Sequence, residues 1–209
     1  METRDAKAIY KDYCDQKKGR LYKSVNFSFE TEEYVYDIYW ADPKIVFYNA
    51  DAKLMPIACL TYPLGTLVSN ARIYLHEKLT EEYEDIFEYI IMHEIGHSWF
   101  YDFMGIRSGF DNHEFEALAD LFATIFFMKF RNFADLDQVN TLINNIITLQ
   151  AKLYNIPLNN ISQFYNTKKF EIELLVAKSK ASMLSDDHYV FNMTNSIEPA
   201  LDALGDIFR

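Results

Sequence analysis

The sequence predicts an α+β fold. A small antiparallel or mixed sheet spans about 25–75, a two-helix core spans about 81–130, and a helical extension follows from 132. Three observations carry this expectation. Apolar and polar side chains alternate up to about residue 75, as on a half-buried strand. Beyond residue 80 the apolar positions recur at helical spacing instead. Glycine and proline are scarce, at 6 and 5 in 209 residues, which favours long regular elements over a loop-rich scaffold.

Residues 1–23 read as a short polar helix or arm. Val25, Phe27 and Phe29 alternate with polar residues, and so do Tyr34, Tyr36, Ile38 and Trp40. Thr31-Glu32-Glu33 between them is the expected hairpin turn. A short apolar strand is expected over Lys44–Tyr48. Pro56 and Pro63 flank another apolar run, and because proline cannot donate to a ladder that run is expected at a sheet edge. Arg72-Ile73-Tyr74-Leu75-His76 alternates once more. Thr80 is the N-cap candidate for a helix over 81–102, with Glu81 and Glu82 where the helix dipole favours anions. Ile86, Phe87, Ile90, Ile91, Ile95, Trp99 and Phe100 make this helix apolar nearly all round, so it should be buried. Gly105 and Gly109 mark a loop. Asp111 and Glu114 form a capping-box pattern for a helix over 112–130. Asp135 and Gln138 open another, with Leu136, Val139, Ile143, Ile146 and Leu153 at helical spacing until Pro157 stops it. Helices are also expected over 160–183 and 196–208, packed on what precedes them because no linker intervenes.

Composition narrows the classes of function. The formal net charge is −11, from 20 Lys and Arg against 31 Asp and Glu. Such a surface repels phosphate backbones, so direct nucleic-acid binding is not expected. The basic clusters at Lys17, Lys18, Arg20 and Lys23, and at Lys168 and Lys169, read as solvated faces. Cys14 and Cys59 cannot make a disulfide framework or a Cys-based metal site, and read as free thiols in a reducing compartment. The first residues alternate charge and lead into no apolar signal segment. No apolar run approaches the roughly 20 residues that span a bilayer. A cytoplasmic protein without membrane association is expected. The oligomeric state is not written in the sequence.

The residues that carry chemistry are His93-Glu94-Ile95-Gly96-His97, an H-E-x-x-H run inside a predicted helix. Histidines four apart lie one turn apart on one face, so both can ligate one zinc ion. Glu94 lies beside them and is suited to hold and deprotonate a water. With 5 histidines in the chain, a chance pair at this spacing around a glutamate is rare. On a buried helix two unpartnered imidazoles and a carboxylate would also be costly. A catalytic zinc needs a third protein ligand and one open position. The histidine six residues on that one class of zinc peptidases uses is absent, since Phe103 stands there. Glu116 instead opens an E-x-x-A-D pattern, 19 residues after His97. Asp120 is one turn further on the same face, where a carboxylate can fix the tautomer of a ligand histidine. The small residues Ala117 and Ala119 would let the two helices approach closely.

On these residues the region from about 71 to 130 resembles the gluzincin metallopeptidases, in which H-E-x-x-H on one helix is joined by a glutamate on the next. The order Ile73-Tyr74-Leu75, helix, His93 to His97, loop, Glu116 to Asp120, Phe122-Ala123 and Phe127-Met128 is most similar to the small intracellular peptidases of the ImmA/IrrE type. The resemblance implies a zincin-like catalytic core over 25–131 within a single domain of 1–209, and a 132–209 extension packed on it. It implies one zinc ion per chain, held by His93, His97 and Glu116, with Glu94 catalytic. The implied reaction is hydrolysis of a protein or peptide substrate, in that family a transcriptional repressor.

Two other readings stand beside it. His113 lies 16 residues after His97, a distance similar to that in SprT-type proteases, DNA-repair enzymes whose third ligand is a histidine. Glu116 is favoured because Asp120 stands one turn beyond it, whereas His113 would sit at the helix start and line the cleft. Alternatively, the zinc site clips together a binding or inhibitor module that does not cleave; an intact Glu94 argues against this. His113, Tyr101, His188 and Tyr189, and also His76, are candidate cleft residues or oxyanion donors. A strand at 71–75 or 55–60 is expected to line the cleft and pair with extended substrate.

Overall fold

A computed structural model of the chain describes residues 19–29, 32–41, 57–61, 70–79, 84–102 and 112–158, with Asp202 and Gly205. Its elements are β1 (Arg20–Phe29), β2 (Glu32–Ala41), β3 (Ala58–Thr61), β4 (Asn70–His76), α1 (Glu84–Asp102), α2 (Asn112–Phe130) and α3 (Leu136–Tyr154). The class is the expected α+β, and the sheet is the mixed one of the two types. The chain divides into two compact units, Met1–Tyr83 and Glu84–Arg209.

In the first unit β1 and β2 form an antiparallel hairpin, with Phe29 opposite Glu32. β4 pairs parallel with β2 and antiparallel with β3, so the strand order is β1-β2-β4-β3. Alternation puts Val25, Phe27, Tyr34, Tyr36, Ile38, Trp40, Ile73 and Leu75 on one face, and all are buried. Phe27 stacks on Tyr34 and Tyr36 at centroid distances of 5.1 and 6.0 Å. Such pairs add about 0.5–1.5 kcal/mol each beyond the area they bury. Gly19 precedes β1 at φ 130°, where a side chain would be driven against the carbonyl of Trp40.

Three strand expectations need correction. Residues 20–23 belong to β1 rather than to a polar arm, because they pair with β2. β2 already begins at Glu32, so Glu32 and Glu33 are strand rather than turn, and Thr31 lies outside the described residues. β4 is hydrogen-bonded along both sides, so the 71–75 strand has no free edge to offer an extended peptide. Its residues Ala71 to His76 are buried on both faces, as befits an interior strand with a parallel partner. Among the described residues β3 is an edge strand, as the prolines around it predict.

In the second unit α1 buries Ile86, Phe87, Ile90, Ile91, Met92, Ile95 and Trp99, as its all-round apolar pattern requires. α2 buries Leu118, Ala119, Phe122, Ala123, Phe126 and Phe127. The two helices meet closely at Gly96, where an added Cβ would lie 2.9 Å from Cβ of Phe122 and 3.0 Å from Cα of Ala119. Small residues at the crossing therefore do what the sequence suggests, with Gly96 and Ala119 as the pair. The side chain of Ala117 lies outside the described residues. Arg131 forks onto both carboxylate oxygens of Glu88, tying the end of α2 back to α1. Asn132, at φ 56°, then turns the chain out of α2, and the N–H of Phe133 returns to the carbonyl of Phe127.

α3 starts where the capping pattern places it. Asp135 accepts the N–H of Gln138 at 3.1 Å, and the Gln138 side chain accepts the N–H of Ala134 at 2.6 Å. Asn155 ends the helix in the left-handed region at φ 53°, two residues before Pro157. Val139, Leu142, Ile146, Ile147 and Ala151 form its buried stripe, and it touches both α1 and α2. The expected strand at 44–48, the Thr80 cap, the glycine loop at 105–109, the Asp111–Glu114 capping box and the helices over 160–183 and 196–208 lie outside the described residues. Asp202 and Gly205 alone of that last stretch are described, and both are helical.

Candidate metal centre

His93 and His97 project from one face of α1, as a four-residue spacing demands, with ring centroids 4.7 Å apart and planes at 89°. Glu116, near the start of α2, reaches both. Its Oε2 lies 3.3 Å from Nε2 of His93 and its Oε1 lies 3.5 Å from Nε2 of His97. One ligand atom from each of the three side chains falls within 4.8 Å of the others. Two imidazoles and a carboxylate so placed can hold a metal ion. The close helix crossing at Gly96 is what brings Glu116 to the histidines, since Gly96 lies within the motif and Ala119 is three residues past Glu116.

Asp120 stands where the sequence puts it, one turn beyond Glu116, and is buried. It accepts the Nδ1–H of His93 at 2.6 Å. That bond orients the ring and turns Nε2 to the Glu116 side, as the nitrogen a metal ion would take once its proton is displaced. Tyr89, one turn before His93, donates its hydroxyl toward Asp120, at 3.4 Å from the carbonyl oxygen and 3.5 Å from Oδ1. The same hydroxyl is 3.5 Å from Oγ1 of Thr124. Neither Tyr89 nor Thr124 stands out in the sequence, although each is four residues from a member of the site on the same helix. Burial opposes protonation of His93, but the carboxylates of Asp120 and Glu116 outweigh it and raise its pKa to about 10. A metal ion entering the site must therefore displace a proton.

Glu94 is buried beside His93 on α1. His76 is buried at the end of β4, where its Nδ1 accepts the N–H of Lys78 at 3.0 Å, so it serves the following turn. The side chains of Tyr101 and His113, and the whole of His188 and Tyr189, lie outside the described residues. No helix among the described residues is long and apolar enough to cross a membrane. In comparisons with protein-family models, curated proteins and solved structures, the chain matches none.

Proposed function

We propose that this chain is a zinc-dependent metallopeptidase of the gluzincin kind, similar to the ImmA/IrrE-type peptidases, and that it hydrolyses peptide bonds of an intracellular protein. The observation that carries the proposal is the convergence of His93, His97 and Glu116 from two helices around one point. The separations of 3.3 and 3.5 Å from Glu116 to the two imidazoles support zinc. Ligands of a tetrahedral ion with bonds of about 2.0–2.1 Å stand about 3.3–3.4 Å apart. Three protein ligands also leave the open fourth position of a catalytic site rather than the closed set of a structural one.

Zinc held there supplies a Lewis acid, which polarises a carbonyl and lowers the pKa of a water from roughly 15.7 toward about 7. Glu94 would act as the general base toward an attacking water and would return the proton to the leaving amine. Asp120 keeps His93 in the ligating tautomer throughout. By resemblance, the proposed substrate is a transcriptional repressor or a similar regulator. The placement of Glu116 against both histidines favours it over His113 as third ligand, and so favours the gluzincin reading over a SprT-like one.

The test combines metal content with cleavage of a peptide library. The wild type should carry about one zinc per chain. Glu116→Ala should lose it and His113→Ala should keep it. Glu94→Gln should keep zinc while cleavage falls by on the order of 10²–10⁴. Zinc lost with His113 alone would move the chain to the SprT-like class. A Glu94→Gln variant that cleaves at the wild-type rate would remove Glu94 from the mechanism. An active-site glutamate that matters to neither zinc nor cleavage, in a wild type that binds zinc but cleaves nothing, would leave only the binding-module reading.

A further inference from the structure

The second face of the sheet carries a buried guanidinium, one nitrogen of which no hydrogen-bond acceptor among the described residues reaches. Strand register sets Ser24, Asp37, Arg72 and Thr61 side by side across β1, β2, β4 and β3. Arg72 is 8% exposed and Thr61 3%. Among the described residues, no acceptor reaches Nη1 of Arg72 and no partner reaches Oγ1 of Thr61. The adjacent carboxylate is turned elsewhere. Asp37 accepts the Ser24 hydroxyl at 2.7 Å and the Tyr39 hydroxyl at 3.5 Å. The ion pairs among the described residues do not include Arg72. Burial and Asp37 push the Tyr39 phenol up while Arg72 opposes them, so the guanidinium acts on this polar row.

A guanidinium cannot shed its proton, so it cannot escape burial by becoming neutral. Taking it out of water without a counter-charge is strongly unfavourable. The chemistry that satisfies it is a planar or tetrahedral oxyanion, which its fork of donors matches. The Thr61 hydroxyl, directly across the ladder, adds a neutral donor on the same face. We infer that Arg72 and Thr61 form a binding site for a small oxyanion, the phosphate or carboxylate group of a ligand, on the second face of the sheet. The site shares no residue with the metal centre and does not depend on the peptidase proposal.

Thermal unfolding at constant ionic strength tests it, with chloride replaced by inorganic phosphate in one arm and by acetate in the other. An anion several-fold above its Kd should raise the Tm of the full chain by about 2–4 °C. A response to phosphate alone identifies a phosphoryl ligand, and a response to acetate alone a carboxylate; either supports the site. The response should vanish in Arg72→Met. Because that variant removes a buried side chain and can fail to fold, titration calorimetry of phosphate and acetate on Thr61→Val and Arg72→Lys provides the second measurement. Loss of one hydrogen bond to a charged group should weaken binding about tenfold in Thr61→Val. Glu116→Ala should bind the anion as the wild type does. Absence of any anion response in the wild type, or Kd values unchanged in both Thr61→Val and Arg72→Lys, would overturn the proposal.

Discussion

Asp120 decides which nitrogen of His93 is available to a metal, and it does so through a single bond of 2.6 Å. Asp120→Asn keeps the shape but weakens that acceptor. The expected result is metal affinity lower by about 10–100-fold, read by competition with a chelating dye. The same carboxylate shapes the response to pH of protein stripped of metal. The folded-state pKa of His93, about 10, lies above its ordinary value of 6.5. Its contribution to stability is then fully present below about pH 6.5 and is lost as pH rises through about 10. Urea unfolding of chelator-treated protein across that window should show stability falling with pH, and Asp120→Asn should flatten the slope. The candidate ligand histidines and Glu94 were legible from spacing alone, because a helix brings residues four apart onto one face whatever surrounds it. Tyr89 was not, because a tyrosine on an apolar helix looks like core until its hydroxyl is seen to meet Asp120.

Among the elements, the crossing of α1 and α2 carries the site. Gly96→Ala pits two effects against each other. Helix propensity favours alanine by about 1 kcal/mol. The added methyl, however, meets the backbone of Ala119 and Cβ of Phe122 at 3.0 and 2.9 Å, and backbone cannot swing aside. Overpacking of this kind costs about 1–3 kcal/mol, so the net expectation is destabilisation. Because Glu116 lies three residues before Ala119, pushing the helices apart also draws its carboxylate from the histidines. Denaturant midpoint and metal affinity should therefore fall together, and an unchanged metal affinity would show that the crossing does not set the site. The limits of α3 were readable because both ends are written locally, in the Asp135–Gln138 cap and in Pro157; the left-handed Asn155 that ends the helix was not singled out. The first strands were harder. The true start of β1 at Arg20 depends on pairing with Trp40, which no local signal in a run of charged residues announces.

For the whole molecule, metal binding should appear as stability. A ligand that binds only the folded chain, at 1,000 times its Kd, adds about 4 kcal/mol. For a chain of this size each kcal/mol moves Tm by about 2–4 °C. Zinc should therefore raise Tm by about 8–16 °C over chelator-treated protein, and Glu116→Ala should show little response. Differential scanning calorimetry with and without chelator decides it. A wild type indifferent to zinc would remove the metal from the proposed function. The charge of −11 has its consequence at this scale too, as a net repulsion that disfavours polyanionic partners.

By itself the sequence determined the helical face of His93 and His97, the place of Glu94 beside them, the α+β class and the N-terminal cap of α3. All of these depend on the fixed periods of helix and strand and on residues a few positions apart. Tertiary structure alone decided the parallel pairing of β2 with β4, the interior position of β4 and the convergence of Glu116 on both histidines. It alone also left Arg72 buried beside Thr61, with Nη1 of its guanidinium reached by no acceptor among the described residues. These features bring together residues from different elements, and the register and helix crossing that join them arise from packing, which no local period encodes.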